Sequence, residues 1–186
     1  MFETYNIAKL WNLPVIFVCE NNGYAMGTSV NRGSASTDFY TRGDFVPGIR
    51  VDGMDVLGVK EATRFAREHA IKNGPIVMEM VTYRYSGHSM SDPGTSYRKR
   101  EEVQEVRAKR DPITTFSKRI TEHNVATADE LKAIDDAVRA EMSDVERRAL
   151  TDPELDVQEL YNHVYNQPEA NFKIRGCDNF TYVASK

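Results

Sequence analysis

Cysteine is scarce in this sequence of 186 residues, where only Cys19 and Cys177 occur. Two cysteines cannot form the dense disulfide framework of a small secreted domain, and such usage fits a reducing compartment. Because Cys19 stands within an apolar run, we expect it to be a small residue of the core.

An excess of positive charge and long apolar runs are absent as well. The formal net charge is −4, which gives no support to a nucleic acid or an anionic membrane surface as a partner. No apolar run approaches the ~20 residues that span a bilayer. Residues 1–5 lack the basic start of a signal peptide and the arginine-rich character of a transit peptide. We therefore expect no nucleic-acid partner, no membrane partner and no transit peptide in this chain.

The sequence does contain an alternation of apolar runs and a helical pattern, which is typical of an α/β fold. Residues 15–19 form an apolar run before a polar turn, which predicts a buried parallel strand. Residues 49–51 and 76–83 predict two further strands, and apolar residues at helical spacing over 56–70 predict a helix between them. A strand, a helix and a strand with short connections form a βαβ crossover, so we expect a parallel sheet.

Several residues mark the ends of predicted helices. Asp55 is expected to cap the helix that Gly74 ends, and Pro112 is expected to open another helix. Thr127 and Glu130 form the pattern of a capping box. The pattern also predicts an opening helix to about residue 12, and a loop over 28–48 with at most one short helix at 37–42. Further helices are predicted from residue 101, from 128 to about 150, and over 157–165. The tail from residue 167 has no clear period.

A polar turn that contains glycine follows the first predicted strand. Asn21 and Asn22 stand at its start, and Gly23 and Gly27 permit a sharp bend close to a ligand. In open α/β sheets, ligands collect beyond the carboxyl ends of the strands. An amide oxygen and a backbone carbonyl are hard ligands that suit Mg²⁺ carrying phosphate oxygens. The alternative is a plain strand-to-helix turn in which the two asparagines supply left-handed geometry and local hydrogen bonds.

Residues 84–89 follow the third predicted strand at the same edge of the sheet. Arg84 offers a fork of donors suited to phosphate, and His88 can donate to phosphate or exchange a proton near neutral pH. Together with Asn22, they indicate a site for a diphosphate and a metal. The alternatives are a surface salt bridge for Arg84 and a loop hydrogen bond for His88.

Three longer motifs carry a resemblance to a known family. Residues 19–24, Cys-Glu-Asn-Asn-Gly-Tyr, resemble the closing half of the thiamine-diphosphate motif. Residues 82–98, with the run Gly-His-Ser-Met-Ser-Asp-Pro-Gly, resemble the regulated loop of pyruvate dehydrogenase alpha subunits, and residues 42–55 are similar to the same family. The loops of branched-chain 2-oxo acid and acetoin enzymes depart more from this run. The sequence is thus identified as a member of the thiamine-diphosphate-dependent 2-oxo acid dehydrogenases.

The resemblance implies an α/β fold with a partial doubly wound parallel sheet of the thiamine-diphosphate-binding kind, followed by C-terminal helices. It implies that residues 1–150 are the C-terminal part of the dehydrogenase domain and that residues 151–186 form a C-terminal helix and tail. The family motif begins with Gly-Asp-Gly, one helix and one strand before the two asparagines, and its aspartate is the other side-chain ligand of the metal. We therefore expect the N-terminal half of the domain, with this ligand, to lie outside the sequence.

The resemblance also assigns roles to single residues. It implies that Asn22 ligates Mg²⁺ through its side chain and Tyr24 through its backbone carbonyl. It implies that His88 contacts both the diphosphate side of thiamine diphosphate and the catalytic centre, with Arg84 beside it as a further cofactor-binding residue. Three serines match the phosphorylated serines of the family: Ser29, Ser89 and Ser96.

The function that the resemblance implies is the oxidative decarboxylation of pyruvate, with transfer of the acetyl group to lipoyl arms and formation of acetyl-CoA. The implied partners are a beta subunit in an α₂β₂ assembly, the lipoyl domains of a dihydrolipoyl acetyltransferase core, and a regulatory kinase and phosphatase. The implied location is the mitochondrial matrix. Two alternatives stay open: a non-catalytic truncated isoform that acts only as an interaction polypeptide, and the alpha subunit of a related 2-oxo acid or acetoin dehydrogenase.

Overall fold

The computed structural model describes residues 1–164, 173–175 and 182–184. Short 3₁₀ helices at Phe39–Gly43 and Val157–Tyr161 accompany the regular elements. In chain order these elements are α1 (Phe2–Leu10), β1 (Ile16–Asn21), β2 (Tyr24–Ala25), β3 (Thr28–Ser29), α2 (Val30–Gly33), β4 (Gly48–Asp52), α3 (Val56–Asn73), β5 (Ile76–Val81), α4 (Arg100–Arg110), α5 (Pro112–Glu122), α6 (Ala128–Thr151), β6 (Lys173–Arg175) and β7 (Tyr182–Ala184).

The main sheet has three parallel strands in the order β1-β5-β4. The predicted crossover is confirmed, because β4 and β5 pair in parallel and α3 connects them. The central strand is β5, whose first residues are almost fully buried. The predicted burial of the first strand is wrong. β1 lies at the edge of this sheet, Val18 is 57% exposed and Cys19 is only half-buried, because a strand with one neighbour is covered less than a strand with two.

One face of the sheet packs against α3. Val51, Ile76 and Met78 from the strands meet Ala66 of the helix, and these four buried residues form the core cluster. Partly buried apolar side chains from β1, β4, β5 and α3 surround it. The apolar residues at helical spacing in α3 therefore mark the face of the helix that packs against the sheet.

The opposite face is covered by α1 and by the first 3₁₀ helix. Tyr5 of α1 packs edge-on against Phe17 of β1, with ring centroids 4.7 Å apart. Gly43 is buried so closely that a Cβ there would lie 3.0 Å from Val46 and 3.2 Å from Val77. Because successive strand residues point to opposite faces, these contacts lie across the sheet from α3. Helical segments on both faces agree with the α/β prediction.

The predicted helix ends are confirmed at several positions. The Asp55 carboxylate accepts a hydrogen bond from Leu57 N at 3.1 Å, and Gly74 closes α3 with a φ of 86°. Thr127 and Glu130 form the reciprocal capping box, since Thr127 N donates to the Glu130 carboxylate at 2.8 Å and Glu130 N donates to the Thr127 hydroxyl at 3.2 Å.

Other segments differ from the prediction. The stretch from 28 to 48 holds β3, α2 and a 3₁₀ helix instead of one short helix in a loop. The helix predicted over 157–165 is a 3₁₀ helix at Val157–Tyr161, and Tyr165 lies outside the described residues. In the tail, β6 and β7 form an antiparallel pair, and the rest of the tail also lies outside the described part.

Two compact units divide the chain, Met1–Leu131 and Lys132–Lys186. The domain boundary after residue 150 stays a prediction. Among the described residues, no helix combines the length and the apolar character that crossing a membrane requires.

Candidate functional site

The turn after β1 is built from two successive side-chain to backbone hydrogen bonds. The Asn21 amide oxygen accepts from Gly23 N at 3.2 Å, and the Asn22 amide oxygen accepts from Tyr24 N at 3.1 Å. Left-handed backbone occurs at Gly23, with a φ of 84°, and not at either asparagine. The local hydrogen bonds of the plain-turn alternative are therefore present. They also fix the Asn22 oxygen and the Tyr24 carbonyl in one short segment, and each oxygen keeps a second lone pair for a ligand.

Arg84 brings the loop after β5 onto this turn. Its Nη2 donates to the Met26 carbonyl at 2.6 Å and to the Tyr97 hydroxyl at 2.9 Å, and its Nη1 lies 3.5 Å from the Tyr24 carbonyl. Its Nε donates to the Ser86 carbonyl at 3.2 Å. The two segments expected at one sheet edge do meet there. The guanidinium thus binds backbone carbonyls of the turn, and its role as a cofactor-binding residue stays a prediction.

Asp92 joins the rest of this loop together. Its carboxylate accepts from His88 N at 2.8 Å, from Gly94 N at 2.8 Å and from the Tyr97 hydroxyl at 2.7 Å. The hydrogen bond from His88 N, then those from Tyr97 and Gly94, lower the pKa of Asp92 to about 2, from an ordinary 3.8. His88 itself is exposed. Its backbone is thus tied through Asp92 and Tyr97 to Arg84, while its imidazole stays open to solvent.

Arg98 is a loop residue that sequence reasoning missed. Its side chain is only 6% exposed, and its guanidinium donates to the carbonyls of Arg84, Tyr85 and Ser86. Its Nε has no hydrogen-bond partner in the structure. It also lies over three tyrosine rings, at 5.4 to 5.8 Å from their centroids, which a cation can stabilise. The available signal in the sequence was a group of tyrosines around the two arginines of this loop, Arg84 and Arg98.

The three serines matched to phosphorylated positions lie in two segments of the chain, β3 and the loop after β5. Ser89 and Ser96 are exposed, and the Ser89 hydroxyl lies 3.1 Å from the Ser91 hydroxyl. Ser29 is half-buried and ends β3. Exposure makes Ser89 and Ser96 accessible to a modifying enzyme, and phosphorylation of all three stays a prediction.

A cavity of about 320 Å³ opens beside the turn, and Asn22, Ser29 and Arg42 are among the residues that line it. Arg42 also lies over the Phe39 ring at 4.7 Å. Cys19 lines the same cavity, and burial raises the pKa of its thiol, with a further rise from Glu79. A thiol with a raised pKa is a poor nucleophile at neutral pH, so Cys19 gives no support to a cysteine active site in this cavity.

The oxygens of this turn fit Mg²⁺ by type. The Asn22 amide and the Tyr24 carbonyl are hard, neutral donors, and they would fill two of the six positions that Mg²⁺ takes. Elsewhere in the described part of the chain, no group of three or more His, Cys, Asp and Glu residues is placed to hold a metal ion. Phosphate oxygens, water and ligands from other segments would fill the remaining positions.

Comparison with known proteins gives a family and several relatives. The family model described as "Dehydrogenase E1 component" matches residues 1–158. The chain is 56% identical over 181 residues to the human "Pyruvate dehydrogenase E1 component subunit alpha, somatic form, mitochondrial", covering 97% of this chain and 46% of the relative. It is 55% identical over 181 residues to "Pyruvate dehydrogenase E1 component subunit alpha, mitochondrial" of Sminthopsis macroura, covering 97% of this chain and 50% of that protein. The chain thus spans about half the length of these relatives.

Proposed function

This chain belongs to the dehydrogenase E1 component family, and from that premise we propose that it acts within the alpha subunit of a pyruvate dehydrogenase. The proposed reaction is the oxidative decarboxylation of pyruvate, with transfer of the acetyl group to a lipoyl arm. The observation that carries the proposal is the meeting of the Asn22–Tyr24 turn with the Arg84 loop at the carboxyl edge of a parallel sheet. That edge is where α/β sheets bind their ligands.

Some residues of this chain would hold the metal and its diphosphate, and others would orient the residues that do so. Thiamine diphosphate, when bound, would supply the carbanion chemistry of decarboxylation. Asn22, through its amide oxygen, and Tyr24, through its carbonyl, would hold the Mg²⁺ of the diphosphate. Arg84 would keep the cofactor-binding turn in place and add positive charge beside it. His88 would face the cofactor and move a proton with an imidazole nitrogen, while Asp92 fixes its backbone.

The proposed partners follow from the family. They are a beta subunit in an α₂β₂ assembly, the lipoyl domains of an acetyltransferase core, and a kinase and phosphatase acting on Ser29, Ser89 and Ser96. The proposed location is the mitochondrial matrix, in keeping with the mitochondrial relatives.

The test is the binding of Mg²⁺ and thiamine diphosphate, measured by calorimetry on the enzyme assembled from the longest natural form of the chain and its partner subunit. Asn22→Ala should weaken binding by about tenfold or more, because Mg²⁺ loses one of few protein ligands. Asn73→Ala is the matched control, since this exposed asparagine ends α3 away from the turn. Unchanged binding in Asn22→Ala would contradict the proposal, whereas absence of binding in the native assembly would favour the interaction-only alternative.

A further inference from the structure

Glu79 places a carboxylate in the middle of the central strand β5. Its side chain is 0% exposed, and its neighbours Ile76, Val77 and Met78 are each 1% exposed. A carboxylate that leaves water without partners is strongly unfavourable. The groups around Glu79 must therefore offset this cost, and they indicate what the residue does.

Both oxygens of Glu79 accept hydrogen bonds. Oε1 accepts from the Asn21 amide nitrogen at 2.7 Å, and Oε2 accepts from Tyr40 N at 3.0 Å. The Arg50 Nε lies 3.8 Å from Oε1. These partners belong to β1, to the 3₁₀ helix and to β4. One buried carboxylate thus connects both outer strands of the sheet with the segment that covers one face.

The hydrogen bond to Asn21 sets the orientation of that amide. Because Asn21 Nδ2 donates to Glu79, its Oδ1 points the other way and accepts from Gly23 N at 3.2 Å. The next residue, Asn22, repeats this pattern with Tyr24 N. The path of the backbone through the turn therefore begins at an amide that Glu79 holds.

We infer that Glu79 is a positioning residue that fixes the turn over residues 21–24, so that the Asn22 amide oxygen and the Tyr24 carbonyl lie ready for a Mg²⁺ that carries a diphosphate. The inference deepens the proposed function and rests on it. Glu79 touches neither the metal nor the cofactor on this account. It acts through Asn21, and its loss should be felt as weaker binding of the metal and its diphosphate.

Glu79→Gln tests this with little change in volume. The native side chain accepts with both oxygens, whereas an amide accepts with one end and donates with the other. Either Asn21 Nδ2 or Tyr40 N would then face a donor. In the assembled enzyme, we expect the dissociation constant for Mg²⁺ and thiamine diphosphate to rise about tenfold or more. The turnover number at saturating cofactor should stay within about twofold, since the change affects binding before chemistry.

A double variant separates positioning from general loss of stability. Asn21→Asp alone sets two carboxylates against each other and should also weaken binding. Combined with Glu79→Gln, it exchanges donor and acceptor: the new amide can donate to the new carboxylate, which still accepts from Gly23 N. We expect the double variant to regain most of the lost affinity. Asp38→Asn is the control. The Asp38 carboxylate accepts from Arg50 Nη1 at 3.3 Å, on the exposed side of the group of residues around Glu79.

The outcomes are distinct when Asn22→Ala is measured beside these variants. If Asn22→Ala weakens binding but Glu79→Gln binds like the native enzyme, the inference is wrong and the proposed function stands. If Asn22→Ala itself binds normally, the proposed function fails. If Glu79→Gln weakens binding only in step with a lower unfolding temperature, and the double variant regains nothing, Glu79 is a structural residue and the inference is overturned.

Discussion

At the scale of single residues, charged side chains around the candidate site mainly bind backbone atoms. Arg84 and Arg98 donate to carbonyls, and Asp92 accepts from two backbone N–H groups. Hydrogen bonds between a charged group and the backbone are stronger than neutral ones. The loop over residues 84–98 is therefore held in one shape by its own charges, and a change of charge there should act first on the shape of the loop.

The low pKa of Asp92 leads to a prediction about the stability of the loop at acid pH. Its pKa is about 2 in the folded loop and 3.8 ordinarily, so its stabilising effect is complete above pH 3.8 and is lost as the pH falls towards 2. We expect pepsin to cleave the native loop faster as the pH falls through this range. Asp92→Asn should be cleaved rapidly at every pH, and it also corrects for the pH dependence of pepsin itself. Equal cleavage profiles for the two proteins would show that the Asp92 carboxylate does not hold the loop.

At the scale of elements, local signals predicted most helix ends, and long-range contacts escaped prediction. Asp55 and the pair Thr127 and Glu130 cap helices through partners two or three residues away. Glu79 binds Asn21 across 58 residues of sequence, and nothing in the apolar run of β5 distinguishes a structural carboxylate.

The place of β1 in the sheet escaped prediction for a related reason. An apolar run predicts a strand, but it does not predict the position of that strand in the sheet. Strand order depends on pairing between distant segments, which no local pattern contains. The candidate site was predicted in part: the turn and the loop meet as expected, whereas the partners of Arg84 could not be read from its residue type.

A prediction about phosphorylation concerns the loop over residues 84–98, which contains Ser89. The Ser89 carbonyl accepts from Asp92 N at 3.1 Å, so a negative group on Ser89 would lie in the same turn as the Asp92 carboxylate. A phosphoryl group adds about −1.5 to −2 charges at neutral pH, and repulsion between like charges should release the loop. We expect Ser89→Glu to lower the activity of the assembled enzyme and to speed hydrogen exchange over residues 84–98, whereas Ser89→Ala should do neither.

Ser96→Glu is the matched control for this prediction. Ser96 is exposed and lies on the far side of Asp92 in sequence from His88, so the same charge should act more weakly there. Activity in Ser89→Glu that equals that of Ser89→Ala would show that charge at this position is not a switch.

At the scale of the whole molecule, the described residues leave many large apolar side chains in water. The clearest group is a stripe on α6 formed by Ile134, Val138, Met142 and Val145, which are 62%, 50%, 60% and 39% exposed. Their spacing of three and four residues places them along one side of the helix. Exposed apolar surface of this extent is typical of an interface and promotes association.

We therefore predict that the chain expressed alone self-associates, and that the stripe on α6 contributes to it. Sedimentation velocity at increasing protein concentration should show species larger than a monomer, because association removes apolar surface from water. Replacing Ile134, Val138 and Met142 with glutamine should shift the distribution towards monomer and keep the helix, since glutamine is a good helix former. The control places glutamine at Lys132, Asp136 and Ser143, on the other side of α6, and should leave association unchanged. A single monomeric species with a cooperative thermal transition in the native chain would contradict the prediction, because the exposed apolar side chains would then be tolerated in water without any partner.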